Sequence, residues 1–439
     1  MTLTVLVDAG PWLPVPPPGY GGIENVLATL VPELRRLGVR VVLATVGGST
    51  LDVDEQISAF AEPQFPVIAD PYNQVMGVTA AHTQRVLAEL RARSDVDLVH
   101  SHLEAWGPVA LAGAGLPVLH TLHWDLSKHP TLYGAFDGAG RIVVNGVSAA
   151  QLARAPAALR AHSLGYVHLA TPLAVEATRR PPEAVGGHLV VLARITPTKG
   201  QHVAARLAHR TGQEVVLAGP VGPYDDEAAL DVALAARPSV RDHPDVRYWC
   251  DEVAPLVDGD RVRWAGSLRG AARDHLVATA RAQLCPVQWD EPGGTGVVES
   301  LALGTPVIGY RRGCLPELVV HGRTGLLVDP DDEDALGAAT PHTDDLDRAA
   351  CREEAERRFT PEVMARAYLD LYTATLARSA PGTGRRESAR EAEGPPRHTR
   401  GHRGHGDQRQ PHREPASGPG ARPLPLEATD AVVDVVGRP

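Results

Sequence analysis

Apolar positions along the first half of the chain fall into short runs separated by segments of helical period. Residues 3–8, 39–46, 98–100, 117–123, 141–147 and 166–169 read as strands, and 23–37 and 78–91 as amphipathic helices. A second alternation places strands at 188–193, 214–219, 261–265, 282–287, 306–310 and 325–328. Apolar strands alternating with helices imply parallel sheets covered on both faces. The fold class expected is therefore α/β, with two doubly wound units. Ligands of such sheets bind outside the carboxyl ends of the strands, and two units face to face would make a cleft. Near the end, residues 360–378 read as a helix with Thr360 as N-cap and Pro361 at the first helical position. Its apolar stripe is expected at Val363, Ala367, Tyr368, Leu371 and Tyr372. Residues 178–187, TRRPPEAVGG, form a linker, and from about Ala380 the Gly-, Pro-, Arg- and His-rich sequence has no apolar period and is expected to be disordered.

Composition narrows the function classes. The 439 residues are 43% hydrophobic and 22% charged, which suits a soluble globular protein of two or three domains. A formal net charge of −10 argues against nucleic acid as a partner. Cys250, Cys285, Cys314 and Cys351 lie at irregular spacings, so neither a zinc site nor a disulfide framework is suggested. With no signal-like start and no apolar run of 18 residues, a cytoplasmic protein with weak or absent membrane association is expected. Of 43 basic residues only Lys128 and Lys199 are lysines. Lys128 has a place near a donor or acceptor at best; Lys199 sits at the turn after a strand.

The densest chemistry is in 288–328. Glu291 and Glu299 lie eight residues apart, with Gly293, Gly294 and Gly296 between them. A strand, a glycine loop and a helix from about Thr295 point backbone N–H groups at an anion. Glu291 stays on the loop, while Glu299 projects one turn into the helix. There it either accepts from vicinal hydroxyls, at about 1.5–3 kcal/mol per charge-assisted bond, or only favours the helix dipole.

These motifs, with PPPGYGGIENVLATLVPELRRLG, DLVHSH, PVLHTLHW and LARITPTKG in order before EPGGTGVVESLALGTPVI, resemble the retaining glycosyltransferases of family 4. The resemblance covers about residues 1–378. It implies two facing Rossmann-like domains, the GT-B architecture: 1–177 on the acceptor side, the 178–187 linker, and 188–358 for the nucleotide-sugar. A helix at 359–378 would pack back toward the N-terminal domain, before a disordered tail at 379–439.

The resemblance also implies roles. Arg194 and Lys199 would stabilise the diphosphate as charge builds on it. Glu299 would bind the ribose, and Glu291 with the amides of Gly293, Gly294 and Thr295 the hexose hydroxyls. His123 would contact the transferred sugar, and Gly21 and Gly22 would let the backbone approach the diphosphate or the acceptor. His120 reads as core, and His100 and His102 stay open between core and site. Gly293 stands where the family often has a bulky residue, which would loosen the sugar pocket. The expected reaction is transfer of a hexose or N-acetylhexosamine from a nucleotide-sugar donor to a small-molecule or glycan acceptor with retention. No metal-ligand cluster is visible, so no metal and no cofactor beyond the donor are expected. The alternatives are an inactive nucleotide-sugar-binding or partner protein, a sugar-nucleotide epimerase or phosphorylase of the same architecture, and a membrane-bound lipid glycosyltransferase.

Overall fold

The computed structural model describes residues 2–19, 21–69, 72–176 and 184–379. The first sheet contains β1 (Thr4–Asp8), β2 (Arg40–Thr45), β3 (Glu55–Ser58), β4 (Leu98–Ser101), β5 (Val118–Thr121), β6 (Ile142–Gly146) and β7 (Ser163–Tyr166). Their order is β3-β2-β1-β4-β5-β6-β7, and every pairing is parallel. The second sheet contains β8 (Leu189–Leu192), β9 (Val215–Ala218), β10 (Val262–Trp264), β11 (Ala282–Cys285), β12 (Val307–Tyr310) and β13 (Gly325–Val328). It runs β10-β9-β8-β11-β12-β13, again all parallel. β1, β4, β5, β9, β11 and β12 are buried along their whole length, as strands covered on both faces must be. This is the two-sheet Rossmann-like arrangement of the GT-B fold.

Six helices position the core and the site: α1 (Gly22–Arg36), α2 (Tyr72–Ala92), α3 (Gln201–Thr211), α4 (Gly270–Thr279), α5 (Thr295–Ala302) and α6 (Pro361–Ser379). α1 buries Leu27, Leu30, Val31 and Leu34 against Val5, Val7 and Leu119 of the first sheet. The opposite face of that sheet is covered by Val86 and Leu90 of α2 with Trp124 and Tyr133. α6 starts where the Thr-Pro pair predicts, with Val363 N donating to Thr360 Oγ1 at 3.3 Å. Its Met364, Ala365, Tyr368 and Tyr372 complete the core of the first sheet beside α1.

Three local expectations are corrected. The strand expected at 166–169 lies at Ser163–Tyr166, because Val167, Leu169 and Ala170 are apolar through packing into the core rather than through pairing. β3 was not expected: as an edge strand with Ile57 as its single buried residue, EQIS offers no apolar run. On α6 the buried stripe passes through Met364, Ala365, Tyr368, Tyr372 and Thr375, and Val363 is 40% exposed. Most of the expected linker (178–183) and nearly all of the expected tail (380–439) lie outside the described residues.

Candidate active site

The order of the second sheet reverses between β8 and β11, where a doubly wound sheet opens a crevice at its carboxyl end. Arg194 and Lys199 lie on the loop leaving β8. Glu291 and the glycines lie on the loop leaving β11. Gln201, fully buried at the start of α3, braces the first loop: its Nε2 donates to Arg194 O at 2.7 Å and its Oε1 accepts from Thr196 N at 3.4 Å. Gln288 N donates to Thr198 O at 2.8 Å and ties the two loops together.

Lys199 thereby meets Glu291, with Nζ 2.5 Å from Oε2. The same oxygen accepts from Trp289 Nε1 at 2.9 Å, and the ammonium stands 5.3 Å from the Trp289 ring centroid. Cys314 N donates to Glu291 O at 2.8 Å, which fixes the backbone beneath the carboxylate. Two charge-assisted donors on one oxygen orient Glu291 more firmly than neutral bonds would. Arg194 Nη1 is 3.5 Å from Oδ2 of buried Asp245, so both cations of this loop are held by carboxylates.

Gly294 has φ +61, a left-handed turn that L side chains avoid, and it places Thr295, an exposed residue, at the first position of α5. One turn on, Glu299 Oε1 accepts from Arg273 Nη1 of α4 at 3.2 Å. Arg273 also donates to Asp274. Burial raises the Glu299 carboxyl above the usual range, with Arg273 opposing and Asp274 assisting. Gly293 does not leave the space expected of it. A Cβ there would stand 2.7 Å from Leu169 Cδ1 and 3.3 Å from Val147 Cγ2, both from the first sheet's side. The volume a bulky residue would take is filled by Leu169.

On the first sheet, His123 follows β5 and is partly exposed. Its Nε2 lies 2.8 Å from Nδ1 of the buried His102. Burial holds His123 down at about 4. His100 is structural: Nδ1 pairs with Tyr372 OH and Nε2 with Thr121 Oγ1, each at 2.8 Å. His120 is fully buried, as expected of a core residue, although neither ring nitrogen has a hydrogen-bond partner. Gly21 caps α1 against Pro17, whose Cβ and Cγ would lie 2.8 Å from a Cβ at that position. At Gly22 a Cβ would meet nothing within 4 Å. Lys128 ends a short turn at Leu126–Lys128.

The two sides are joined by polar contacts that the sequence did not single out. Glu317 accepts from the amides of Ala149 and Ala150 at 2.8 and 2.6 Å and from His168 Nε2 at 3.0 Å. Burial pushes its carboxyl up, but His168 and these amides outweigh burial and hold it below the usual range. Arg269 donates to Pro18 O and to Asp225 Oδ2, each at 3.0 Å, and Arg154 pairs with Asp290. Trp289, Arg273 and Glu317 are further residues beside the site that sequence reasoning passed over, and His102, left open between core and site, pairs with His123. Only Trp289, two positions from Glu291, had a local signal; the others act across at least 21 residues of sequence. Among the described residues no group of three or more His, Cys, Asp or Glu is arranged to hold a metal ion, and no helix is long and apolar enough to cross a membrane.

Two family models match the chain, one on each side of this site. Residues 20–159 match Glycosyltransferase Family 4, and residues 186–356 match Glycosyl transferases group 1. An alpha-maltose-1-phosphate synthase of Mycobacterium tuberculosis is 28% identical over 201 residues, 43% of this chain and 48% of that protein. The chain thus spans about half the length of that relative. A D-inositol 3-phosphate glycosyltransferase of Corynebacterium efficiens is 27% identical over 435 residues, covering 85% of this chain and 96% of the relative. The crystal structure of Anabaena HepE in complex with UDP and glucose shares the fold, with TM-score 0.57, 17% identity and coverage of 85% of this chain and 100% of that one. The family matches and relatives support a glycosyltransferase of the family 4 type on a GT-B fold.

Proposed function

We propose that this protein transfers a hexose or N-acetylhexosamine from a nucleoside diphosphate, uridine diphosphate being the expected carrier, to an acceptor hydroxyl with retention at the anomeric carbon. The observation that carries this reading is the Lys199–Glu291 pair at the point where the second sheet reverses order. A cation and an oriented carboxylate side by side suit a ligand with a phosphate at one end and sugar hydroxyls at the other. HepE, with the same fold, has been crystallised with UDP and glucose, a ligand of that kind.

In this mechanism Lys199 and Arg194 hold the diphosphate at the end of β8. As the glycosidic bond breaks, negative charge grows on the departing phosphate, and cations already in place stabilise it without reorganising. Glu291 accepts from sugar hydroxyls while Lys199 and Trp289 keep its carboxylate aimed. Glu299 accepts from the ribose with the oxygen that Arg273 leaves open. The acceptor enters from the side of Gly21, Gly22 and His123. Its proton passes to the leaving phosphate oxygen on the same face, which accounts for retention.

Calorimetry with UDP, GDP and ADP tests the reading, followed by the matching sugar donors against polyol and sugar-phosphate acceptors. Tight binding of one nucleotide by the native chain and its loss in Lys199→Ala supports it. Failure of all three nucleotides to bind overturns it.

A further inference from the structure

His102 and His123 share a single proton between Nδ1 of one and Nε2 of the other, 2.8 Å apart. A neutral imidazole has one N–H and one lone pair, so one ring must donate and the other accept. Burial holds both rings below the usual histidine range, His123 at about 4, so both are neutral at pH 7.

The direction of the bond follows from the other nitrogen of His102. His102 is 1% exposed, and its Nε2 is buried with no hydrogen-bond partner. If His123 donated, His102 would carry its proton on Nε2, leaving a buried orphan N–H. If His102 donates from Nδ1, a bare lone pair remains there instead. Orphaned buried N–H groups are the rarer of the two in folded proteins. The His102 ring is packed against a fixed neighbour. It lies 4.1 Å, centroid to centroid, from His100, which is itself bonded to Tyr372 and Thr121.

We propose that His102 is a positioning residue that donates to His123 Nε2 and so fixes His123 in its Nδ1-protonated form, presenting an N–H to the sugar rather than a lone pair. His123 is the partly exposed member of the pair, and with Nε2 taken by His102 its Nδ1 is the nitrogen left to meet a ligand. An N–H donates to a hydroxyl or phosphate oxygen; a lone pair there would instead require the ligand to donate. The polarity of that contact is therefore set by a residue that does not touch the ligand. Its kinetic consequence rests on the glycosyl-transfer reading, but the proton's position does not.

The test is long-range proton–nitrogen NMR on the full chain labelled with nitrogen-15 at histidine, with His123→Gln to assign the signals. The native protein is expected to show His123 protonated on Nδ1 and bare on Nε2. His102→Asn places an amide N–H where Nδ1 was and should keep that form. His102→Leu should give a mixture of both forms. Once a donor is known, His102→Leu should lower kcat about tenfold, the worth of one net hydrogen bond, with nucleotide Kd unchanged, while His102→Asn stays near native turnover. A native His123 protonated on Nε2, or an unaltered form in folded His102→Leu, overturns the proposal. If no nucleotide binds, the functional reading fails while the NMR result still decides the role of His102.

Discussion

Lys199 Nζ and Glu291 Oε2 lie 2.5 Å apart on loops that leave adjacent parallel strands. Each residue therefore sets the other's position. Lys199→Ala removes the cation proposed to hold the phosphate and one of the two donors that aim Glu291. We expect kcat to fall about 10²–10³-fold, as for loss of one preorganised charge-stabilising group, with an unchanged melting temperature to show that the fold survives. Glu291→Gln keeps an oxygen for Trp289 and Lys199, so its loss should be smaller than that of Glu291→Ala. Steady-state kinetics of the three variants checks the order.

Gly293 and Leu169 should behave as one unit. Gly293→Ala pushes a methyl group against Leu169 Cδ1, an overpacking that costs about 1–3 kcal/mol. In Leu169→Ala the same methyl finds room. A double-mutant cycle in denaturant should show a favourable coupling of about 1 kcal/mol or more. Additive costs would mean that the two sides do not meet at this point.

Arg273 should matter for nucleotide affinity rather than for turnover. Its loss leaves Glu299 more completely in the grip of burial and raises its carboxyl further. Arg273→Ala should weaken nucleotide binding most at acid pH, where Glu299 takes up a proton first. Removing one ribose hydroxyl from the nucleotide should cost the native protein roughly tenfold, about 1.4 kcal/mol, and cost Glu299→Ala nothing. Calorimetry with deoxynucleotides reads both.

Glu24, in the first turn of α1, is 5% exposed, and burial pushes its carboxyl up to about 7. A raised carboxyl favours the protonated folded state. Its stabilising contribution is thus present below pH 4.5 and is lost as pH rises through 7. Glu24→Gln should be near neutral at pH 4.5 and more stable than native at pH 8. The upper limit is about 3 kcal/mol, at 1.36 kcal/mol per pH unit of displacement. Thermal melts at the two pH values check the sign.

The sheets were readable because parallel strands buried on both faces must be continuous apolar runs, as at Val5–Val7 and Leu189–Val191. β3 escaped because an edge strand with one buried residue leaves no such run. Lys199 and Glu291 were legible as strand-end residues, yet their direct contact was not, since it depends on the adjacency of β8 and β11. Gly293 misled for a related reason. A glycine announces missing volume but not what fills it, and here the filler comes from 124 positions earlier in the chain. His102 carried no sequence signal that separated it from His100; only the partners of each ring do.

The burial of Tyr368 and Tyr372 beneath the first sheet has a consequence for synthesis on the ribosome. The first sheet emerges early, yet the helix that closes one of its apolar faces is made only after the whole second sheet. At about 5–20 residues per second, the interval between Ala170 and Met364 lasts on the order of ten seconds or more. Through that interval the nascent first half carries an open greasy groove beside α1, with His100 lacking its tyrosine partner. Fragments ending before α6 should therefore aggregate or engage chaperones, whereas supplying the 361–379 segment in trans should rescue their solubility.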